Sequence, residues 1–309
     1  MKPSYRALSR SGELKRRAEK AVDLMKECRL CPRACGVNRL KDEQGFCRTG
    51  RRARVASYSP HFGEESPLVG SHGSGTVFIS SCNLLCRFCQ NHEISHGNEG
   101  LDAEAGQLAR IMLLLEEQGC HNINIVTPSH VVPQILEALV LAADAGLRVP
   151  LVYNSGGYDR VDTLRLLEGV FDVYMPDFKF WEGVWSERYC QAPDYPEVAR
   201  AAIREMYRQV GDLVVDERGI AVKGLLVRHL VMPEGIAGTR QVAEFIAGEI
   251  SPRTYVNVMD QYRPCGDAQE DEIIHRRLTA REFREAMAAA KEAGLTRLDS
   301  RDRVRFAFF

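Results

Sequence analysis

Three cysteines, Cys82, Cys86 and Cys89, fall within eight residues of one another in the stretch TVFISSCNLLCRFCQNH, Thr76 to His92. The apolar run before them, Val77, Phe78 and Ile79, reads as a buried strand that breaks at Ser80-Ser81 into a loop. Thiolates that hold a cubane of iron and sulfur must converge on one centre from a chain able to bend around it. A C-x3-C-x2-C loop offers three such ligands and leaves one iron with an open coordination position, where a small molecule can bind. That points to chemistry rather than to support. Tetrahedral zinc would want a fourth ligand, for which His92 and His96 are close enough in sequence, but zinc more often uses paired C-x2-C knuckles. With no signal peptide in view a reducing compartment is expected, which disfavours a disulfide.

The loop Cys82-Asn83-Leu84-Leu85-Cys86-Arg87-Phe88-Cys89 resembles the signature of the radical S-adenosylmethionine enzymes, including the aromatic residue before the last cysteine. More closely, from about Cys28 to the C-terminus, the chain resembles the pyruvate formate-lyase activating enzyme-like, or PflX-like, radical proteins. The resemblance implies that Cys82, Cys86 and Cys89 carry a 4Fe–4S cluster whose open iron takes the amine and carboxylate of S-adenosylmethionine. An electron from a donor such as flavodoxin or ferredoxin would then cleave the S–C5′ bond, and the 5′-deoxyadenosyl radical would take hydrogen from a substrate. In the activating enzymes that substrate is the backbone glycine of a partner enzyme; another peptide or a small molecule is the rival. A non-catalytic iron–sulfur electron carrier is the alternative from a different class.

The same resemblance assigns further positions. Phe88 would lie against the adenine, unless it only packs in the barrel mouth. Asn154-Ser155-Gly156-Gly157 falls where activating enzymes have Asp-Thr-Asn-Gly, with the acid replaced by Asn154. Asp177-Phe178-Lys179 resembles their Asp-x-Lys, and Arg228 matches an arginine that pairs with the methionine carboxylate; an internal ion pair across the barrel is the other reading. Thr127-Pro128-Ser129-His130 stands where a Gly-Gly-Glu motif is usual and does not match it. A late histidine is also missing, with Gln261 or Tyr262 near its place.

A second group, Cys28, Cys31, Cys35 and Cys47, puts four thiols in 20 residues behind a C-x2-C opening. This spacing predicts a metal site, either zinc or an auxiliary iron–sulfur cluster. A four-thiolate site is closed, so it would pin a loop-rich segment or relay electrons. Cys120, Cys190 and Cys265 are scattered and read as core or surface thiols, although Cys265 could face the mouth.

These residues need a frame to hold them. Candidate strands are Thr76–Ser81, Asn122–Thr127, Val149–Asn154, Phe171–Asp177, Val222–Val231 and Thr254–Met259, separated by helical patterns. The helices are expected over Asp102–Gln118 with Asp102 as N-cap, Val131–Ala145, Asp159–Glu168, Pro193–Gln209 and Thr239–Gly248. A last one is bounded by the capping box Thr279-Ala280-Arg281-Glu282 and by Gly294. Such βα alternation predicts an α/β fold, a partial (β/α)6 TIM-like radical SAM barrel, with functional residues at the C-terminal strand ends. Residues 1–60 form a helical and Cys-rich extension, with an amphipathic helix over Ser11–Glu27, and residues 61–309 form the barrel and its C-terminal helix. Ser57 to Gly75, rich in Gly, Ser and Pro, reads as a connecting loop whose His61 and His72 could approach the active centre, although loop histidines are more often just solvated.

At 309 residues with 45% hydrophobic content the chain can bury a full core. The net charge of −1 hides an asymmetry: residues 1–60 carry 16 Lys and Arg against 6 Asp and Glu, and the remainder carries −11. The basic segment is expected to fold against the acidic barrel and surround a negatively charged metal site. It lacks the interleaved aromatics of single-strand binders, so nucleic acid is not an expected partner. No apolar run approaches a bilayer span, and a cytoplasmic location is expected.

Overall fold

The computed structural model describes residues 2–299; residue 1 and the last ten residues of the unit expected over 61–309 lie outside the described residues. Among the described residues, ten strands follow one another as β1 (Ala53–His61), β2 (Ser74–Ile79), β3 (Leu101–Ala103), β4 (Ile123–Val126), β5 (Leu151–Ser155), β6 (Val173–Pro176), β7 (Val214–Val215), β8 (Ala221–Leu230), β9 (Tyr255–Met259) and β10 (Arg297–Leu298). The sheet order is β10-β9-β8-β6-β5-β4-β2-β1-β3, with β7 antiparallel to β8. Six of these, β2, β4, β5, β6, β8 and β9, are the expected strands; they pair in parallel in that order, and β10 extends them. The fold is therefore mixed α/β with a mostly parallel sheet, a partial barrel with helices between strands.

Both faces of the strands are covered, which is why they read as nearly unbroken apolar runs. On β5, β6 and β8 the side chains alternate. Val152, Val173, Met175 and Leu226 pack on one face with Leu68, while Tyr153, Tyr174, Leu225 and Val227 join the large core beneath the helices. The helices form at Ala105–Glu117, Val132–Asp144, Val161–Leu166, Tyr195–Val210, Thr239–Phe245 and Ala280–Glu292, close to the expected spans. Thr279 and Glu282 make the expected capping box. Asp102, expected to cap a helix, instead lies in β3, and Glu104 caps that helix through a reciprocal bond with Gln107. The expected helix over Ser11–Glu27 is shorter, Glu13–Asp23, and a separate turn of helix, Tyr5–Arg10, precedes it.

The stretch Ser57 to Gly75 is not a simple loop. Its start belongs to β1, which pairs antiparallel with β2 from Val55 opposite Ile79 to His61 opposite Ser74. The division expected at residue 60 thus falls inside a strand. The chain then crosses to the far strands of the sheet. Leu68, in the short helix Ser66–Val69, is fully buried against Val152, Val173 and Leu226, a burial that contributes about 2 kcal/mol. Its carbonyl accepts a hydrogen bond from Asn122 at 2.8 Å. Glu65 accepts one from Asn257 of β9 at 2.7 Å, and Glu64 lies 3.4 Å from Arg228 of β8. Residues 62–73 therefore act as a plug that links β1 to strands across an otherwise open barrel.

Candidate active site

The three cysteines follow β2 at the C-terminal end of the parallel strands, and the loop that carries them is turned by two left-handed residues, Ser81 (φ 70°) and Leu85 (φ 51°). Such a conformation costs a non-glycine residue roughly 1–2 kcal/mol. Here it lets the thiols face one side. The Leu84 amide donates to the Cys82 sulfur at 3.3 Å. Burial, with Cys86 beside it, pushes the Cys82 thiol up to about 12. Cys89 is raised by burial and then by Cys86. Cys86 is raised well above the usual thiol range, first by its contact with Cys190 and then by burial. Buried thiols of this kind keep their protons until a metal displaces them.

The thiols open into a cavity of about 360 Å³, within the range of small-ligand pockets. Phe88, Asn154, Ser155, Gly156, Asp177, Lys179 and Arg228 border it together with all three cysteines. β5 ends in Asn154 and Ser155, β6 is followed by Asp177 and Lys179, and β8 carries Arg228. The parallel registers bring these ends side by side: Asn154 pairs with Met175, and Asp177 bridges to Arg228.

The polar groups form one network. Asp177 accepts from Lys179 Nζ at 2.6 Å and from Arg228 Nε at 3.0 Å. Arg228 also donates to Asn154 Oδ1 at 2.6 Å. Burial would raise the Asp177 carboxyl, but the two cations overcome it and hold the group below its ordinary value. Lys179 shows the mirror case: burial works against its charge, and Asp177 keeps it well above the usual amine range. The ion pair across the barrel is thus present and forms one wall of the cavity.

Gly157 shows why the turn after β5 needs glycine. Its φ is 78°, and a Cβ there would stand 2.1 Å from the Asp177 carbonyl oxygen. The Tyr195 hydroxyl donates toward the carbonyls of Gly156 and Asp177, each at 3.0 Å, and accepts from the Lys179 amide at 2.9 Å. One phenol therefore fixes the ends of β5 and β6 relative to each other.

Other expected positions are distributed differently. Phe88 borders the cavity yet is only 4% exposed, with its ring against Phe180, Tyr189 and Tyr262. Thr127 borders the cavity with φ 62°, an outlier for a β-branched residue. Ser129 and His130 do not border it. His130 donates through Nε2 to the Ser80 carbonyl at 3.1 Å, and burial lowers it to about 3. His229 faces away, donating to the Phe178 carbonyl at 2.7 Å and accepting from Thr239 at 2.9 Å. Gln261 borders the cavity, whereas Tyr262 is buried with its hydroxyl on the Ile274 carbonyl. Cys265, His92 and His96 are outside the lining; the two histidine rings stack at 4.1 Å. His61, at the end of β1, and Glu64, on the plug, also border the cavity, brought there by the pairing of β1 with β2 and by the contact of Glu64 with Arg228.

The other cysteine group lies in a segment of turns. Cys28, Cys31 and Cys47 are buried. The Cys31 thiol is pushed up to about 12 by burial and by its neighbour Cys47, with Cys28 and Cys35 adding to it. The Phe46 amide donates to the Cys35 sulfur at 3.4 Å. A Cβ at Gly45 would stand 2.6 Å from that sulfur, so the close approach requires glycine. Arg39, buried, lies 3.9 Å from the Cys28 sulfur and donates to the His130 carbonyl at 2.7 Å. Arg51 makes a two-pronged pair with Glu137 at 2.7 and 2.9 Å. The basic segment thus spends several of its charges on the barrel. Among the described residues, no three His, Cys, Asp or Glu side chains converge closely enough to chelate a single ion.

No family model matches the chain. It is 33% identical over 287 residues to the uncharacterized protein MJ0674 of Methanocaldococcus jannaschii, covering 90% of this chain and 78% of that one. The chain belongs to the family of that protein. Among solved structures it is similar to a radical S-adenosylmethionine methyltransferase, TsrM, from Kitasatospora setae, solved with cobalamin and a 4Fe–4S cluster bound. That likeness has a TM-score of 0.43 and 16% identity over 60% of this chain, which spans 36% of the length of that protein. No helix among the described residues is long and apolar enough to cross a membrane.

Proposed function

We propose that this protein is a radical S-adenosylmethionine enzyme whose centre is the loop of Cys82, Cys86 and Cys89. The carrying observation is that these three thiols share one cavity with a carboxylate, an ammonium, a guanidinium and an amide at the strand ends. The donor set fits the group. Three thiols lining one cavity have the chemistry of iron ligands, and three protein ligands would leave one iron of a cubane free to take a small molecule.

When bound, a 4Fe–4S cluster and S-adenosylmethionine would supply reductive S–C5′ cleavage and, through it, hydrogen abstraction from a substrate. The protein's residues hold and shield. Arg228 and Lys179 offer positive charge to the methionine carboxylate, a group that needs a partner when buried. Asn154 can accept from the amine, and Asp177 keeps both cations charged and aimed. Phe88, Leu84 and Ile79 give the apolar wall for the adenosine and keep water from the reacting carbon.

A cavity of this volume suits one nucleoside ligand, so the substrate reaches it from the rim. That favours a segment presented by a partner, such as the backbone glycine of a glycyl-radical enzyme, over a large molecule enclosed in the barrel. Cys28, Cys31, Cys35 and Cys47 are assigned to a second, closed centre of zinc or iron–sulfur type, and since no three of them converge on a single ion, a cluster suits them better than zinc. The Phe46 amide donates to one of its sulfurs and Arg39 lies beside another.

The test is anaerobic reconstitution, reduction and addition of S-adenosylmethionine, with 5′-deoxyadenosine as the readout. Product is expected from the wild type, none from Cys86→Ala, and a reduced amount from Cys31→Ala. A fully loaded wild-type protein that forms no product would instead be an electron carrier.

A further inference from the structure

Cys190 stands 104 residues from Cys86 in the chain, yet their sulfurs are 3.3 Å apart. It is fully buried and occupies the last position of the helix Gly183–Cys190. The chain fixes this contact from both sides. The Arg87 amide, next to Cys86, donates to the carbonyl of Tyr189, next to Cys190, at 2.9 Å. Arg33 donates to the Cys190 carbonyl at 2.8 Å and to the Asn83 carbonyl at 2.9 Å. Gln191, in the left-handed region at φ 51°, then ends the helix.

The 3.3 Å contact runs from the Cys190 sulfur as donor to the Cys86 sulfur as acceptor, the one direction open to a thiolate that ligates iron. We propose that Cys190 is a positioning residue for the radical centre: its S–H donates to the Cys86 thiolate and raises the reduction potential of the cluster held there. The inference rests on the cluster assignment made under the proposed function. A donor to a ligating sulfur stabilises the reduced, more negative cluster over the oxidised one. Cys190 is fully buried, so few other donors compete at this contact. The thiol thus makes the first electron easier to deliver.

The experiment compares wild type, Cys190→Ala and Cys190→Ser, each reconstituted anaerobically and titrated by EPR. The signal followed is the one that changes on adding S-adenosylmethionine, which separates this cluster from any at the N-terminal cysteines. Equal iron and sulfide content, a lower midpoint potential in Cys190→Ala and an intermediate one in Cys190→Ser are expected. An unchanged potential in Cys190→Ala overturns the proposal, and so does loss of iron there, which would make Cys190 a ligand. Should Cys190→Ala fail to fold, ENDOR of the reduced wild type decides. A proton coupling exchangeable in deuterated water, retained as a hydroxyl coupling in Cys190→Ser, supports the donor, and its absence overturns it. A wild type that loads no cluster on Cys82, Cys86 and Cys89 overturns the proposed function as well, whereas an unmoved potential overturns this inference alone.

Discussion

Arg33, between Cys31 and Cys35, donates through Nε to the carbonyl oxygen of Asn83, inside the loop of Cys82, Cys86 and Cys89. The same guanidinium reaches the carbonyls of Cys190 and Gln191 and lies 3.7 Å over the Phe46 ring. One side chain therefore ties both cysteine groups to the helix end that touches Cys86. Three carbonyls and a ring face need a planar fork, which lysine lacks.

Arg33→Ala is expected to destabilise the protein by about 3 kcal/mol, from lost charged hydrogen bonds of part-buried carbonyls. Arg33→Lys should recover less than half of that. Urea denaturation measures the stability, and iron content after reconstitution measures whether the Asn83 loop still loads. Unchanged iron and stability in Arg33→Ala would contradict the link.

Asp177→Asn leaves Lys179 buried without its anion and Arg228 with only the longer contact to Glu64, a loss of about 3–5 kcal/mol. The sign of the pH effect follows from the lowered Asp177 value. Its stabilising share is present above the unfolded carboxylate value, about pH 4, and fades as pH falls through the folded value below it. Acid denaturation profiles should therefore differ between wild type and variant in that range. Superimposed profiles would refute the pairing.

His130 and His229 behave in the opposite protonation sense. Burial lowers them to about 3 and about 4, so both stay neutral in the folded chain. An unfolded histidine titrates near 6.5, and each such group costs about 1.4 kcal/mol per pH unit below that. Their share of stability is complete above pH 6.5 and is lost on the way down. From pH 7 to pH 5 the loss should be about 4 kcal/mol in urea titrations, halved in His130→Gln if that variant folds. A flat profile would show that neither ring is held neutral by burial, and half the loss that only one is.

Gly157→Ala sets a Cβ against the Asp177 carbonyl in a left-handed backbone. The expected loss is at least about 2 kcal/mol, with weaker binding of S-adenosylmethionine because the β5 and β6 ends must separate. Calorimetry and thermal unfolding check both, and wild-type values in both would contradict the close approach.

Much of the frame was legible because it rests on local signals. Buried parallel strands such as Leu151–Ser155 and Val173–Pro176 read as apolar runs, and the Thr279 and Glu282 box marks a helix start by chemistry alone. The ends of those strands then place Asn154, Asp177 and Arg228 together. The plug was not legible. Gly63, Ser66, Pro67, Gly70 and Gly73 spell a loop, and what makes residues 62–73 structural is long-range, the bonds of Glu65 to Asn257 and of Asn122 to Leu68. Glu64 was not legible as a cavity residue for the same reason. Cys190 has no partner at metal-ligand spacing, and only the fold carries it to Cys86.

The most direct test of the central claim uses S-adenosylmethionine labelled with 15N at its amine and ENDOR of the anaerobically reduced protein. The account predicts a 15N coupling to the cluster in the wild type, preserved in Cys31→Ala and abolished when Cys82, Cys86 and Cys89 are all changed to alanine. A loaded wild type without the coupling, or a coupling that survives in the triple variant, would contradict it.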